Sequence, residues 1–199
     1  IPGEKGADGR TSYLHIKYAD ENYGDISTGK ESGMSASSMW SSAYSPDNLV
    51  DGSVVFGPGT AFASASGAAF PQWHQIDLGD VFNIDKVRWI NNRRAACLPK
   101  DYTIAISETG AFAGEQTVVA TVSGNTTYST WVEHTFNPTK GRYVRMTVSA
   151  VVSGTYYELA EWQIYGTYLD FTANEGETPG TYIGTYVDFN PVDSMNFND

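Results

Sequence analysis

The chain is short of cysteine, histidine and positive charge, and each shortage removes a class of explanation. Its single cysteine, Cys97, has no partner, so no intrachain disulfide forms and no oxidising compartment is implied. It holds 12 Lys and Arg against 23 Asp and Glu, for a net charge of −11. That argues against nucleic acid, whose phosphates are bound by clustered cations, and suits a soluble surface or an uncharged ligand. No apolar run approaches the roughly 20 residues of a membrane-spanning helix, so no membrane insertion is expected. The three histidines, His15, His74 and His134, lie far apart and none falls in a His-Glu-x-x-His spacing. No Gly-x-Ser-x-Gly elbow is present either. An enzyme is therefore not expected. A carboxylate pair of the glycosidase kind stays open, since such pairs form in space rather than in sequence. The first residue is Ile and no signal peptide is present, so the start is expected to be a fragment boundary.

Helical periodicity is almost absent too, and what replaces it is alternation. Segments such as WHQIDLG (73–79), KVRWINN (86–92), DYTIAIS (101–107), QTVVATVSG (116–124), TWVEHTFN (130–137), RYVRMTVSA (142–150) and AEWQIYG (160–166) are rich in β-branched and aromatic residues. SYLHIKY (12–18) and GTYIGTYVDF (180–189) read the same way. Gly, Asn, Asp, Ser and Pro punctuate them, which predicts an all-β sandwich or barrel. Period two places Val144, Met146 and Val148 on one face, and Tyr102, Ile104 and Ile106 likewise, as scaffold. His74 and His134 fall within strands as core or strand-surface residues. SPDNLVDG (45–52) predicts a turn or a single helical turn. Aromatics make up 14%, with 13 Tyr, which suits either a binding surface or half-buried strands.

The ends differ in texture. Gly3, Gly6 and Gly9 recur at every third position beside Pro2, a collagen-like period that stops at Arg10. The run is too short for a triple helix, so residues 1–9 are expected to be the extended end of a linker. Residues 20–43 are polar and small, and 167–199 are turn-rich and Tyr-rich.

The middle of the chain carries a series of spaced signatures: YSPDNLVDG (44–52), WHQIDLG (73–79), INNRR (90–94), DYTIAISETG (101–110), GRYVRM (141–146) and ELAEWQIYG (158–166). In this order they resemble the discoidin, or coagulation-factor C-type, domain. Within that superfamily they are most similar to the family 32 carbohydrate-binding modules. The resemblance implies a jelly-roll β-sandwich over residues 31–166. The flanks GRTSYLHIKYAD (9–20) and FTANEGETPGTYIGTYVDFNPVDS (171–194) resemble two parts of a small module of bacteriophage tail and baseplate proteins. On that reading residues 10–30 and 167–199 form one discontinuous module, with the sandwich inserted at an exposed turn. The alternative is that the two flanks are unrelated tails.

Members of the resembled family often hold Ca²⁺ between an Asp-Gly loop and a closing Glu. Ca²⁺ takes six to eight hard oxygens at about 2.3–2.6 Å. Carried over, Asp51 and Glu161 supply the carboxylates, and carbonyls near Asn48 and Ala160 contribute. The family's Asn two residues after the Asp is Ser53 here. Its following Thr is matched by Thr60, on a longer loop. Otherwise Asp51 caps a turn and Glu161 pairs with a cation.

Sugars are gripped by aromatic faces and by planar polar groups that bridge hydroxyls. The resemblance places such groups on the loops at one end of the sandwich. Asn91, Asn92, Arg93 and Arg94 follow a strand end, and adjacent arginines are scarce in so acidic a chain. Tyr156 and Tyr157 precede the closing strand, while Phe62 and Phe70 lie on the loop TAFASASGAAFPQW and are placed as walls. The plain alternative is that an arginine pairs with a surface carboxylate and the tyrosines pack.

Together these readings lead to a non-catalytic carbohydrate-binding module of a phage tail or baseplate. It would act in the virion, adhering to host cell-surface or cell-wall saccharides. The flanking module would bind other tail proteins. The alternatives are a baseplate docking module without a working sugar site, and a module secreted by a bacterium.

Overall fold

The computed structural model describes residues 23–168. Predicted strands at 12–18 and 180–189, the collagen-like start and most of the split flanking module lie outside them. The described residues are all-β: β1 (Gly24–Asp25), β2 (Met34–Ala36), β3 (Phe62–Ala63), β4 (Gln72–Ile90), β5 (Pro99–Ser107), β6 (Thr117–Val122), β7 (Val132–Val151), β8 (Glu158–Leu159) and β9 (Glu161–Tyr168). Pro46–Leu49 forms one short 3-10 turn, opened by the proline whose fixed φ suits that place.

Two pairs of segments read as separate strands are continuous. WHQIDLG and KVRWINN join in β4, and TWVEHTFN and RYVRMTVSA join in β7. Both long strands run through the same interruption. Their antiparallel register shifts between Asp77 and Phe82, where Gly79 takes a φ of +82° that a side chain rarely adopts. Before the shift, β4 pairs with β2 on one side and with the C-terminal half of β7 on the other. After it, β4 pairs with β9 and with the N-terminal half of β7. Beyond these, β5 and β6 extend the first half and β1 extends the second.

The alternation explains why the halves close on each other. Ile76, Val144, Met146, Val148, Tyr102, Ile104 and Ile106 come from the first half. Ile84, Val87, Trp89, Trp162 and Ile164 come from the second, and all belong to one buried cluster. Two faces of one folded-over sheet therefore enclose a single core, the arrangement of a jelly-roll sandwich. Each large side chain buried there contributes about 1.5–3 kcal/mol. Trp89 meets Tyr102 edge-on at 5.6 Å, and the Tyr102 hydroxyl shares a hydrogen bond of 2.9 Å with His134 Nε2.

Residues 24–27, within the segment 10–30 expected in the flanking module, are bonded to β9 of the sandwich. Gly24 pairs with Gly166 and Asp25 with Tyr165, and the Ser27 hydroxyl accepts a hydrogen bond from the Ile164 amide. Gly166 shows how tight this edge is. A Cβ there would run into the carbonyl oxygen of Asn83 and the backbone of Ile84, neither of which can rotate away. Gly166→Ala is expected to lower the melting temperature by about 5 °C, taking roughly 2 kcal/mol at 2–4 °C per kcal/mol. An unchanged thermal scan would show that the strands have room.

Candidate functional site

The small sheet formed by β3 and β8 lies where the loops gather. Phe62 pairs with Leu159 and Ala63 with Glu158. The Trp40 amide donates to the Ala63 carbonyl at 2.8 Å, which brings the Ser-rich segment 37–41 alongside. β4 ends at Ile90, and its continuation is locked by Asn91. The buried Asn91 amide donates to the Glu158 carbonyl at 2.7 Å, while its Oδ1 accepts from the Arg93 and Arg94 amides. This Asx-type turn aims both arginine side chains outward. Asn91 is thus a clamp, and the expected ligand contact is corrected: its amide is already spent. Asn92 is partly buried and donates its side-chain amide to the Val54 carbonyl, while its Oδ1 has no partner.

Two aromatic expectations are corrected by burial. Phe62 is wholly buried and packs edge-on against His74 and Tyr157. Tyr157 is equally buried, with its hydroxyl 2.9 Å from His74 Nδ1. Neither ring reaches a ligand. Phe70 is half-buried and packs against the core cluster.

Arg93, Arg94 and Tyr156 do come together. They border a cavity of about 130 Å³ with Trp40, Tyr44 and Glu158, floored by Ala63. Trp40 is 52% exposed, and its ring meets that of Tyr156 at 5.0 Å and 59°. Arg94 Nη1 donates to the Tyr156 hydroxyl at 2.5 Å. The Arg93 guanidinium lies 4.8 Å above the Phe56 ring, which in turn leans on Tyr44. Arg93 Nη1 also stands 3.7 Å from Glu158 Oε2, an ion pair too long for a hydrogen bond. Trp40, Tyr44 and Glu158 escaped the sequence reading. Trp40 did carry a signal, as a lone large ring among serines too small to cover it.

The second constellation joins the loop after Leu49 to the start of β9. Glu161 is fully buried and neither of its carboxylate oxygens has a hydrogen-bond partner. Burial pushes its carboxyl up to about 8, and the charge of Asp51 adds to the rise. Asp51 is also raised, by burial first and by Glu31 in addition, although its Oδ1 accepts from the Ser53 amide at 2.7 Å. Two elevated carboxyls together mark a place short of positive charge. Among the described residues no group of three or more His, Cys, Asp or Glu is arranged to hold a metal, so oxygens of other kinds must complete a cation's shell. The Ser53 hydroxyl accepts from the Val55 amide, and that of Thr60 donates to the Val55 carbonyl at 2.7 Å. Both keep a free lone pair. Asn48 ties the loop through bonds to the Ala43 and Ala61 carbonyls, and the Ala160 amide donates to Ile90. The orphaned Glu161 oxygens and the hard-oxygen surroundings fit Ca²⁺.

Residues 33–162 match the F5/8 type C domain. The chain belongs to the F5/8 type C domain family. Among solved structures, it is similar to chitosan-binding module 1 of a chitosanase/glucanase from Paenibacillus sp. IK-5. The two are 26% identical with a TM-score of 0.61, over 72% of this chain and 99% of that one. Module 2 of the same enzyme, in complex with chitotriose, is 27% identical with a TM-score of 0.59, over 71% and 100%. The family 32 carbohydrate-binding module of C. perfringens NanJ, in complex with galactose, shares the fold at 19% identity. Its TM-score is 0.59, over 72% and 98%. Comparison with curated protein sequences finds no match.

Proposed function

We propose that this F5/8 type C domain is a non-catalytic carbohydrate-binding module whose ligand occupies the cavity between Trp40, Tyr156, Arg93 and Arg94. The observation that carries the reading is Trp40, a half-exposed ring held at the cavity mouth by Tyr156 and the Ala63 carbonyl. Its free face suits the C–H patch of a pyranose ring. The guanidiniums supply planar donors to hydroxyl oxygens. The two chitosan-binding modules, each above a quarter identical, support a saccharide as the ligand class.

Calcium is the group we assign to the second constellation. Asp51 and Glu161 would hold it, with carbonyls near Asn48 and Ala160 and the hydroxyls of Ser53 and Thr60. When bound it neutralises the paired carboxylates and pins the loop to β9. Asn48 and the Asp51–Ser53 turn preshape that loop without it.

The wider setting rests on the resemblance of the flanking sequences to phage tail and baseplate proteins. A single shallow sugar site binds weakly, and many copies on one particle raise avidity through effective concentration. Presentation on a phage tail or baseplate, at the bacterial surface, suits such a device, with the flanking module as the attachment to other tail proteins.

Trp40→Ala and Arg94→Ala are each expected to weaken glycan binding at least about tenfold, the effect of roughly 1.4 kcal/mol. Melting temperatures should stay near that of the parent, because both side chains lie at the surface. Binding is measured on a glycan array and then by calorimetry. If no saccharide binds while a baseplate protein is captured tightly, the docking alternative replaces this one.

A further inference from the structure

Tyr128 is an exposed ring on a loop that the fold holds firmly. It is 43% exposed and lies between β6 and β7. Asn125 anchors the start of the loop. Its backbone amide donates to the Lys100 carbonyl at 2.9 Å and its side-chain amide to the Pro99 carbonyl at 2.8 Å. Its Oδ1 accepts from the Thr127 amide at 3.1 Å. Past the ring, the Ser129 amide donates to the Asn91 carbonyl at 2.9 Å. Ser129 takes a φ of +57°, a left-handed conformation that a serine keeps only where its surroundings impose it.

The anchor point ties this loop to the cavity, because Asn91 is the clamp whose Oδ1 holds the Arg93 and Arg94 amides. The Tyr128 hydroxyl points at the Asn92 carbonyl, 3.5 Å away, and Asn92 in turn holds Val54. Val54 and Val55 are 43% and 68% exposed. Phe56, on the same loop, carries the Arg93 guanidinium. A series of contacts thus leads from Trp40 and Tyr156, past both arginines, to the valines and Tyr128. The chemistry at its far end is neutral. Residues 116–132 include no charged side chain in an otherwise acidic chain. Thr126, Thr127, Ser129 and Thr130 stand exposed around the ring. A tyrosine offers a rigid amphipathic face, and small hydroxyl residues offer adaptable hydrogen bonds. That pairing suits the C–H patch and the hydroxyls of an uncharged pyranose, and its continuity with the cavity makes the occupant a further ring of the same ligand.

We propose that Tyr128 forms a second sugar subsite, so that the domain binds a run of neutral sugar rings rather than a single residue. This rests on the saccharide reading of the cavity. Trp40 takes one ring, Tyr128 takes a ring further along, and Arg93 lies between them.

The test is calorimetric titration of the full chain with β-linked oligomers of one to five rings, in glucose, galactose and N-acetylglucosamine series. In a series that binds, three rings are expected to bind at least about tenfold more tightly than one, at one oligomer per chain. Tyr128→Phe keeps the ring and should keep this gain. Tyr128→Ala should lower the longer oligomers to the affinity of the single ring. Its melting temperature should stay near that of the parent, since the side chain lies at the surface. Trp40→Ala should weaken every length. Equal binding of one and three rings by the parent would overturn the subsite and leave the saccharide reading of the cavity intact. A gain that survives Tyr128→Ala would do the same. The subsite also fails if Tyr128→Ala weakens the single ring as much as the trimer, because Tyr128 would then act only as a prop for the arginine loop. Failure of all three series at every length would remove both readings together.

Discussion

Excess chelator is expected to lower the melting temperature, and by more at pH 8 than at pH 5. The cause is Glu161. Its carboxyl is pushed up to about 8 in the folded chain, against an ordinary value of 4.5. Between those values the folded state keeps a proton that the unfolded chain releases. Stability of the metal-free protein therefore falls as pH climbs from about 4.5 to about 8, and this loss is absent below 4.5. A bound divalent cation takes the place of the proton and removes the slope. Calcium affinity should rise across the same window, because proton and metal compete for the same oxygens. At pH 8 the stake is a few kcal/mol, or about 10 °C for a domain of this size. Glu161→Gln discards the charge. It should melt above the parent in chelator at pH 8 and cease to respond to calcium. A parent whose melting temperature ignores both chelator and calcium at either pH would show that the site does not take the metal.

Acid should undermine the fold from another direction, through His74. Its ring is fully buried, edge-on to Trp162 at 4.5 Å and 90°, with Nδ1 hydrogen-bonded to Tyr157. Burial pushes its pKa down to about 3 from 6.5. The unfolded chain thus binds a proton below 6.5 that the folded chain refuses until about 3. The contribution is complete above pH 6.5 and disappears as pH falls to 3, amounting to ~4–5 kcal/mol at most. His134, also lowered by burial, acts with the same sign. Urea unfolding at pH 7 and pH 4 measures the effect. His74→Phe is expected to cost stability at pH 7, since it strands the Tyr157 hydroxyl, but to flatten the fall between the two pH values. A variant with the parent's full acid slope would place the titrating group elsewhere.

The sandwich was legible because its physics is local. Alternation at Val144, Met146 and Val148, and at Tyr102, Ile104 and Ile106, marks a core face whatever the strand lies against, and those side chains are indeed buried. Strand continuity was less legible. Gly79 and the aspartates around it read as a stop, yet the pairing partner carries β4 across them with a shifted register. The site was harder still. Phe62, Tyr156 and Tyr157 are all aromatic residues on loops or strand ends, and nothing in their immediate neighbours separates them. What does is the pairing of β3 with β8, which turns Phe62 and Tyr157 onto His74 and leaves Tyr156 at the cavity. Asn91 was hard to place for a related reason. An amide that clamps a loop and one that grips a hydroxyl are the same chemistry, told apart only by which partner arrives first. Glu158 and Glu161 sit three positions apart on one short segment, yet one lines the cavity while the other answers to Asp51. No spacing rule distinguishes them.

The pairing of β1 with β9 has a mechanical consequence. The strands are antiparallel, with Gly24 opposite Gly166 and Asp25 opposite Tyr165, so the described chain enters and leaves side by side at one edge of the sheet. Tension applied between entry and exit would pull these neighbours apart at their near ends, opening the short ladder one rung at a time. It would not drag the long strands past each other. Tension between the cavity and that edge is a different load, because it must cross β4 and β9, whose many rungs share the force. The same domain would thus yield softly to a pull between its own ends and resist a pull on its ligand.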